Sequence, residues 1–321
     1  MGFRILGTGR ALPSKCLSND DLAAFLDTSD EWIVSHTGIK SRYVCTEETL
    51  TDLSVSAAQA ALANSGVSAG EIDMILYSTC TGDFLVPSMA CCVSERLGTS
   101  CPAFDINAAC TGFVYGLDVA AAYLQAKKAN RILFISGDML TRVTNWQDRS
   151  TCVLFGDGVG AAVLTQGESL KYIRLTAKGN SKILYVNGSP ANNPLRPAGD
   201  LAGKIGNVVM DGQEVFRFAV QTVEKEVKLA LDSLGLTPRD IQFFLLHQAN
   251  KRIIESARIR LKQPESKFPI NIDRYSNTTA ATIPILLHEL LEEGRVKPGD
   301  KLLMLAFGAG LTTGTCLIEW Q

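Results

Sequence analysis

Cys110 opens the run Thr111-Gly112-Phe113, at the point where a short apolar strand pattern over 104–107 feeds a helix predicted over 111–126. At a helix start the macrodipole and the free backbone N–H groups favour thiolate over thiol, which suits a nucleophile. An inert buried thiol is the competing reading, and it describes most of the other cysteines. His247 ends the very apolar Phe243-Phe244-Leu245-Leu246, where a hydrogen-bonded core histidine and a catalytic one are both open. Asn277 stands at a second junction into a helix, predicted over 278–292. Strand ends feeding helix N-termini are where α/β units bind ligands. A thiol, an imidazole and an amide converging on one cleft would supply a nucleophile and two hydrogen-bond donors for a developing oxyanion.

Other motifs fall short. His288-Glu289-Leu290-Leu291-Glu292 has Glu where a zinc-protease helix needs its second His, and no metal site is expected. No Gly-x-Ser-x-Gly elbow and no phosphate loop occur. The run 156–160 has the glycine spacing of a dinucleotide loop, but it leads into the strand-like Ala162-Val163-Leu164-Thr165 and reads as a tight turn between strands.

These residues are positioned by a duplication. The segment beginning Gly66-Val67-Ser68 lies without a gap over that beginning Gly235-Leu236-Thr237, and this register pairs Ser78 with His247. Each copy follows a helical pattern, turns at a glycine where a C-cap belongs, and enters a strand. Phe104-Asp105-Ile106-Asn107 resembles Phe268-Pro269-Ile270-Asn271, and Arg131–Leu164 parallels Lys301–Ile318. The chain therefore reads as α/β, with two duplicated halves over 1–170 (carrying Cys110) and 171–321 (carrying His247 and Asn277). Mostly parallel sheets are expected. Ala120, Ala121, Ala122 and Ala126 suit a helix packed on all sides. The Gly-, Pro- and Asn-rich stretch 183–212 is a long excursion that could cover a site between the halves.

Composition bounds the setting. A chain of 321 residues, 46% hydrophobic and 20% charged, has the length of about two domain-sized units and can bury a substantial core. With 31 basic against 33 acidic residues, it has no field for non-specific nucleic-acid binding. The stretch 302–318 is broken by Gly308, Gly310, Gly314 and threonines, so it reads as buried strands and not as a membrane span. No signal peptide is expected at the N-terminus. Nine cysteines, an odd number with no CxxC, suggest free thiols in a reducing cytoplasm.

Taken together, Asp105–Phe113, His247-Gln248-Ala249-Asn250 and Ser276–Ala281 resemble the Cys-His-Asn set of the β-ketoacyl-acyl-carrier-protein synthase III family. Phe307-Gly308-Ala309-Gly310 resembles that family's C-terminal glycine-rich turn, with Ala309 in place of the middle glycine. The resemblance runs over essentially the whole chain. It implies a thiolase-like fold of layered sheets and helices, assembled as a homodimer. It also implies condensation of an acyl-CoA primer with malonyl-acyl-carrier-protein, giving 3-oxoacyl-acyl-carrier-protein, CoA and carbon dioxide, with no cofactor beyond these substrates. In that scheme Cys110 holds the acyl thioester, while His247 and Asn277 stabilise the enolate left by decarboxylation. The Cys110 and Ala309 N–H groups hold the oxyanion of acyl transfer.

The resemblance further implies that Trp32 and Arg149 sandwich the CoA adenine, with Asn250 nearby and His36 standing where a family member carries Arg. Arg252, Arg258 and Lys262, a solvated helix face on charge pattern alone, would receive the acidic carrier protein. Val86, with Phe307, would bound the acyl pocket. Short-primer relatives carry Phe at the Val86 position, reaching across the dimer interface, so branched or medium-length primers are expected here. A thiolase would carry a second Cys at 305–307, and an elongating condensing enzyme a second His at 277. The remaining rivals are a related acyltransferase or ketosynthase of polyketide-type secondary metabolism and a non-catalytic carrier-binding protein, against which the intact set counts.

Overall fold

Short apolar strands alternating with helices build one sheet in each half of the chain. The computed structural model describes residues 2–196, 199 and 205–321. The first sheet contains β1 (Gly2–Ala11), β4 (Met74–Ser78), β5 (Ala103–Ile106), β6 (Arg131–Met139) and β7 (Asp157–Gly167), in the order β1-β7-β6-β4-β5. Beside it β2 (Lys15–Ser18) pairs with β3 (Ser41–Val44). The second sheet contains β8 (Leu170–Asn180), β11 (Phe243–Leu246), β12 (Lys301–Gly308) and β13 (Gly310–Glu319), in the order β11-β12-β13-β8.

The duplication holds at the level of register. Met74 lies beside Ile132 in the parallel pair β4–β6, as Phe243 lies beside Leu302 in the parallel pair β11–β12. Two features depart from the sequence reading. The sheets are mixed, because β7 and β13 return antiparallel to β6 and β12, and β1 and β8 run antiparallel to those in turn. The segment 268–271, matched to β5, forms no strand; Pro269 has no N–H to give to a ladder.

Helices α3 (Leu50–Ser65) and α4 (Met89–Leu97) cover the outer face of the first sheet, and α7 (Gly212–Leu234) and α8 (Lys251–Leu261) cover that of the second. Between the sheets lie α5 (Gly112–Gln125) and α10 (Thr282–Glu292), so the halves share a five-layer sandwich. The helix ends are written locally. Thr49 accepts the Asp52 N–H while the Asp52 carboxylate accepts that of Thr49, and Asp211 caps α7. Gly66 and Gly235 end α3 and α7 in the left-handed region, at φ +67° and +64°.

Along α5, Phe113, Leu117 and Leu124 are buried between the sheets, each worth about 1.5–3 kcal/mol. Ala120 and Ala121 are buried as expected, but Ala122 and Ala126 are exposed, because the C-terminal part of the helix keeps one side to solvent while Leu124 on another side stays buried. The glycines at 158 and 160 belong to strand β7 and not to a turn. A Cβ at Gly160 would lie 2.7 Å from the Pro284 ring, so its absence lets α10 pack directly on the strand. Within the excursion 183–212, β9 (Leu184–Val186) and β10 (Val208–Met210) pair antiparallel; positions 197, 198 and 200–204 lie outside the described residues. Among the described residues no helix is long and apolar enough to cross a membrane.

Candidate active site

The two junctions singled out in the sequence are copies of one elbow. Asn107 Oδ1 accepts the Ala109 N–H at 3.2 Å, and Asn277 Oδ1 accepts the Thr279 N–H at 2.9 Å. Ala109 and Thr279 both take positive φ, +46° and +51°, and each opens one 3-10 turn that runs into α5 or α10. This register sets Cys110 opposite Ala280, and Asn277 opposite Asn107. Because a backbone N–H needs an oxygen acceptor, the Asn277 amide is oriented, with Nδ2 as its remaining donor end. The first half holds the Asn277 backbone: its N–H donates to Leu154 O at 3.0 Å and its carbonyl accepts from Gly156 at 3.2 Å.

Cys110 and Asn277, with His247, line a cavity of about 610 Å³. Against the sequence expectation, the Cys110 thiol is pushed up to about 12, first by burial and then by the charge of Asp138, with its own N–H opposing. The thiol retains partial exposure to the cavity, but α5 begins only at Gly112 and the single preceding turn does not offset desolvation. The resting nucleophile is a thiol. The C-terminal turn closes on it: a Cβ at Gly308 would lie 2.9 Å from Cys110 Cβ and 3.1 Å from its N. Ala309 is not among the residues with positive φ, so the turn accepts it without strain.

His247 is 1% exposed, and its N–H donates to Leu305 O at 2.9 Å. Its ring lies edge-on to Phe307 at 5.5 Å, and Nδ1 is 2.7 Å from Thr282 Oγ1. Burial drops its pKa to about 3, so the imidazole is neutral. A neutral ring can donate a hydrogen bond without first having to lose or gain a charge.

The remaining predicted residues divide. Phe307, Ala309 and Asn250 line the same cavity. The Asn250 side chain caps α8 through Arg252 N and donates to His36 O at 3.0 Å, tying α2 (Asp30–Thr37) to the cavity mouth. Trp32 and Arg149 are not part of the cavity lining. The Arg149 guanidinium lies 5.1 Å from the Trp32 ring centre, and His36 stacks on that indole at 4.4 Å. A base inserted between two faces needs roughly 7 Å, so Arg149 has to move before a purine fits. Arg258 is paired with Glu255, whereas Arg252 and Lys262 have no ion pair among the described residues. Val86 is 83% exposed and does not reach the cavity of its own chain. The excursion 183–212 does cover the site, with Leu184, Tyr185 and Val186 in the cavity wall. Sequence reasoning missed Thr282 and Asp138; only the shared register of the two elbows could have pointed to Thr282.

Two duplicated halves with a cysteine, a neutral histidine and an oriented asparagine at one cavity define a thiolase-like condensing enzyme. Residues 104–180 match the family model for 3-oxoacyl-[acyl-carrier-protein] synthase III, and residues 231–320 match that for its C-terminal part. The chain is 42% identical over 321 residues to the β-ketoacyl-[acyl-carrier-protein] synthase III of Aquifex aeolicus, covering 100% of both. It is 40% identical to that of Clostridium novyi, covering 99% of both. The crystal structure of the Pseudomonas aeruginosa synthase III superposes with a TM-score of 0.91 at 37% identity, covering 100% of this chain and 98% of that one. The chain belongs to the β-ketoacyl-acyl-carrier-protein synthase III family. It is an acyltransferase, the initiating condensing enzyme of fatty acid synthesis.

Proposed function

We propose that Cys110 takes the acyl group of an acyl-CoA primer and that His247 and Asn277 drive decarboxylation of malonyl-acyl-carrier-protein. In the first step the Cys110 sulfur adds to the primer carbonyl, the C–S bond to CoA breaks, and the thiol proton leaves with CoA. The Cys110 and Ala309 N–H groups hold the oxyanion. In the second step the malonyl C–C bond breaks, carbon dioxide departs, and its electron pair becomes an enolate whose oxygen faces His247 and Asn277 Nδ2. The enolate carbon attacks the acyl-Cys110 carbonyl and the thiolate leaves, taking up one proton. The thioesters supply the activation, so the chemistry asks for no cofactor.

The observation that supports this reading best is the neutral His247 beside an Asn277 whose amide has only its donor end left. Arg252, next to the cavity-lining Asn250, and Lys262 at the far end of α8 support this helix as a contact for an acidic carrier protein. Strand β5 pairs on one side only, with β4, and Phe84, Leu85 and Val86 nearby are 58%, 87% and 83% exposed. That edge and that apolar loop fit a homodimer in which Val86 of each chain closes the acyl pocket of the other. The nine unpaired cysteines fit a reducing cytoplasm.

Mass spectrometry after incubation with acyl-CoA tests the division of labour. The wild-type protein gains one acyl group on the Cys110 peptide, and Cys110→Ala gains none yet still decarboxylates malonyl-carrier protein. Asn277→Ala is acylated but loses decarboxylation. A stable adduct on Cys110→Ala would remove the assignment.

A further inference from the structure

Asp138 is a fully buried carboxylate beside the active site that the chemistry above does not use. It is the penultimate residue of β6, seven residues after Arg131, and Gly308 lies seven residues after Lys301 at the end of β12, so the two hold the same place in the duplicated halves. Each faces the elbow of the other half. Gly308 gives the Cys110 elbow room to approach. Asp138 instead grips the Asn277 elbow: its Oδ2 accepts the Thr279 hydroxyl, which also contacts Thr278 O at 2.8 Å. Its Oδ1 accepts from Thr79 Oγ1, Cys80 N and Thr81 Oγ1, each at 2.8 Å, anchoring it to the first half.

Thr279 is the residue held at positive φ whose N–H orients the Asn277 amide. For a residue branched at Cβ that conformation is costly, and a charge-assisted hydrogen bond to its side chain is a sufficient restraint. We propose that Asp138 is a positioning residue that sets the Asn277 donor through Thr279. The proposal rests on the roles given above to Cys110 and Asn277.

The titratable groups around Cys110 are Asp138 from β6, Cys80 from the loop after β4, and His247 after β11. Cys110 is kept a thiol first by its own burial, so loss of the Asp138 charge leaves it one. Breaking the Thr279 link weakens the donor of the decarboxylation half alone.

The test is Asp138→Asn, which keeps an oxygen for Thr79, Cys80 and Thr81 but presents an amide NH₂ to Thr279. Iodoacetamide alkylation of Cys110, read on its own peptide across a pH series, should not slow. Decarboxylation of malonyl-carrier protein should fall about tenfold or more in kcat with KM within about twofold. Thr279→Val, which keeps the Asp138 charge, should lose decarboxylation and leave the alkylation profile unmoved. Unchanged decarboxylation in both variants, or alkylation and decarboxylation falling together in Asp138→Asn, would overturn the proposal. Asn277→Ala run in parallel separates the levels: normal decarboxylation there removes the site reading and this proposal with it, whereas a defect there and none in Asp138→Asn removes only this one.

Discussion

His247 Nδ1 and Thr282 Oγ1 lie 2.7 Å apart, at the place where the first half has Ser78 against Gly112. The hydroxyl also lies 3.0 Å from Thr279 O, which already accepts the Thr282 N–H. That hydroxyl proton, given to Thr279 O in this geometry, would when turned to Nδ1 leave the single proton of the neutral ring on Nε2, the tautomer that can donate to an enolate oxygen. Thr282→Val leaves Nδ1 without its partner, at a cost of about 1–3 kcal/mol. Decarboxylation should fall by about tenfold to a hundredfold. Thr282→Ser, which keeps the hydroxyl, should stay within about threefold, and acylation of Cys110 should survive in both. Stopped assays of carbon dioxide release and intact-protein mass spectrometry check the two halves separately.

The pH dependence follows from the same burial. The thiol of Cys110 is favoured over the thiolate up to about pH 12, so alkylation of the free enzyme should climb about tenfold per pH unit, with no plateau below about pH 10. His247 binds a proton only near pH 3, so decarboxylation by the folded enzyme should show no histidine ionisation between about pH 5 and about pH 8. A plateau of alkylation near neutrality would show that a base or dipole lowers the thiol after all.

At the C-terminal turn the two neighbours should behave oppositely. Gly308→Ala places a methyl 2.9 Å from Cys110 Cβ, pushing the nucleophile from the cavity floor. The rate of acyl-enzyme formation should drop by about tenfold or more. Ala309→Gly removes a methyl from a residue without backbone strain, and acylation should change less than about threefold. Rapid-quench measurement of acyl-Cys110 distinguishes them.

Primer choice tests the acyl pocket and the dimer together. Val86→Phe fills the space of about two to four methylene groups, each worth about 0.8 kcal/mol, or about fourfold in rate. The wild-type enzyme should accept butyryl-, isobutyryl- and hexanoyl-CoA besides acetyl-CoA, and the variant should shift toward acetyl-CoA. The measure is relative kcat/KM across that panel, with sedimentation confirming a dimer in both proteins. An unchanged profile would show that Val86 does not bound an acyl pocket.

Much of this molecule was legible in the sequence because it is encoded locally. The caps at Thr49 and Asp211, the stops at Gly66 and Gly235 and the apolar runs of β4 and β11 each depend on a few adjacent residues, and the duplication made them legible twice. Cys110, His247 and Asn277 were legible for the same reason: each ends a recognisable strand or opens a recognisable helix. Tertiary structure decided what those residues are chemically. The dipole argument for a Cys110 thiolate failed because desolvation and Asp138, 28 positions away in sequence (138 against 110), outweigh a single turn of helix. Thr282 and Asp138 gave no signal of their own, since a threonine in a helix and an aspartate in a strand acquire a role only from what the other half brings against them. The exposure of Ala122 was settled by which side of α5 the sheets cover, and the missing strand at 268–271 goes with Pro269, which has no N–H for a ladder. Local propensity reports conformation; charge state and hydrogen-bond direction depend on neighbours that only the packed halves bring together.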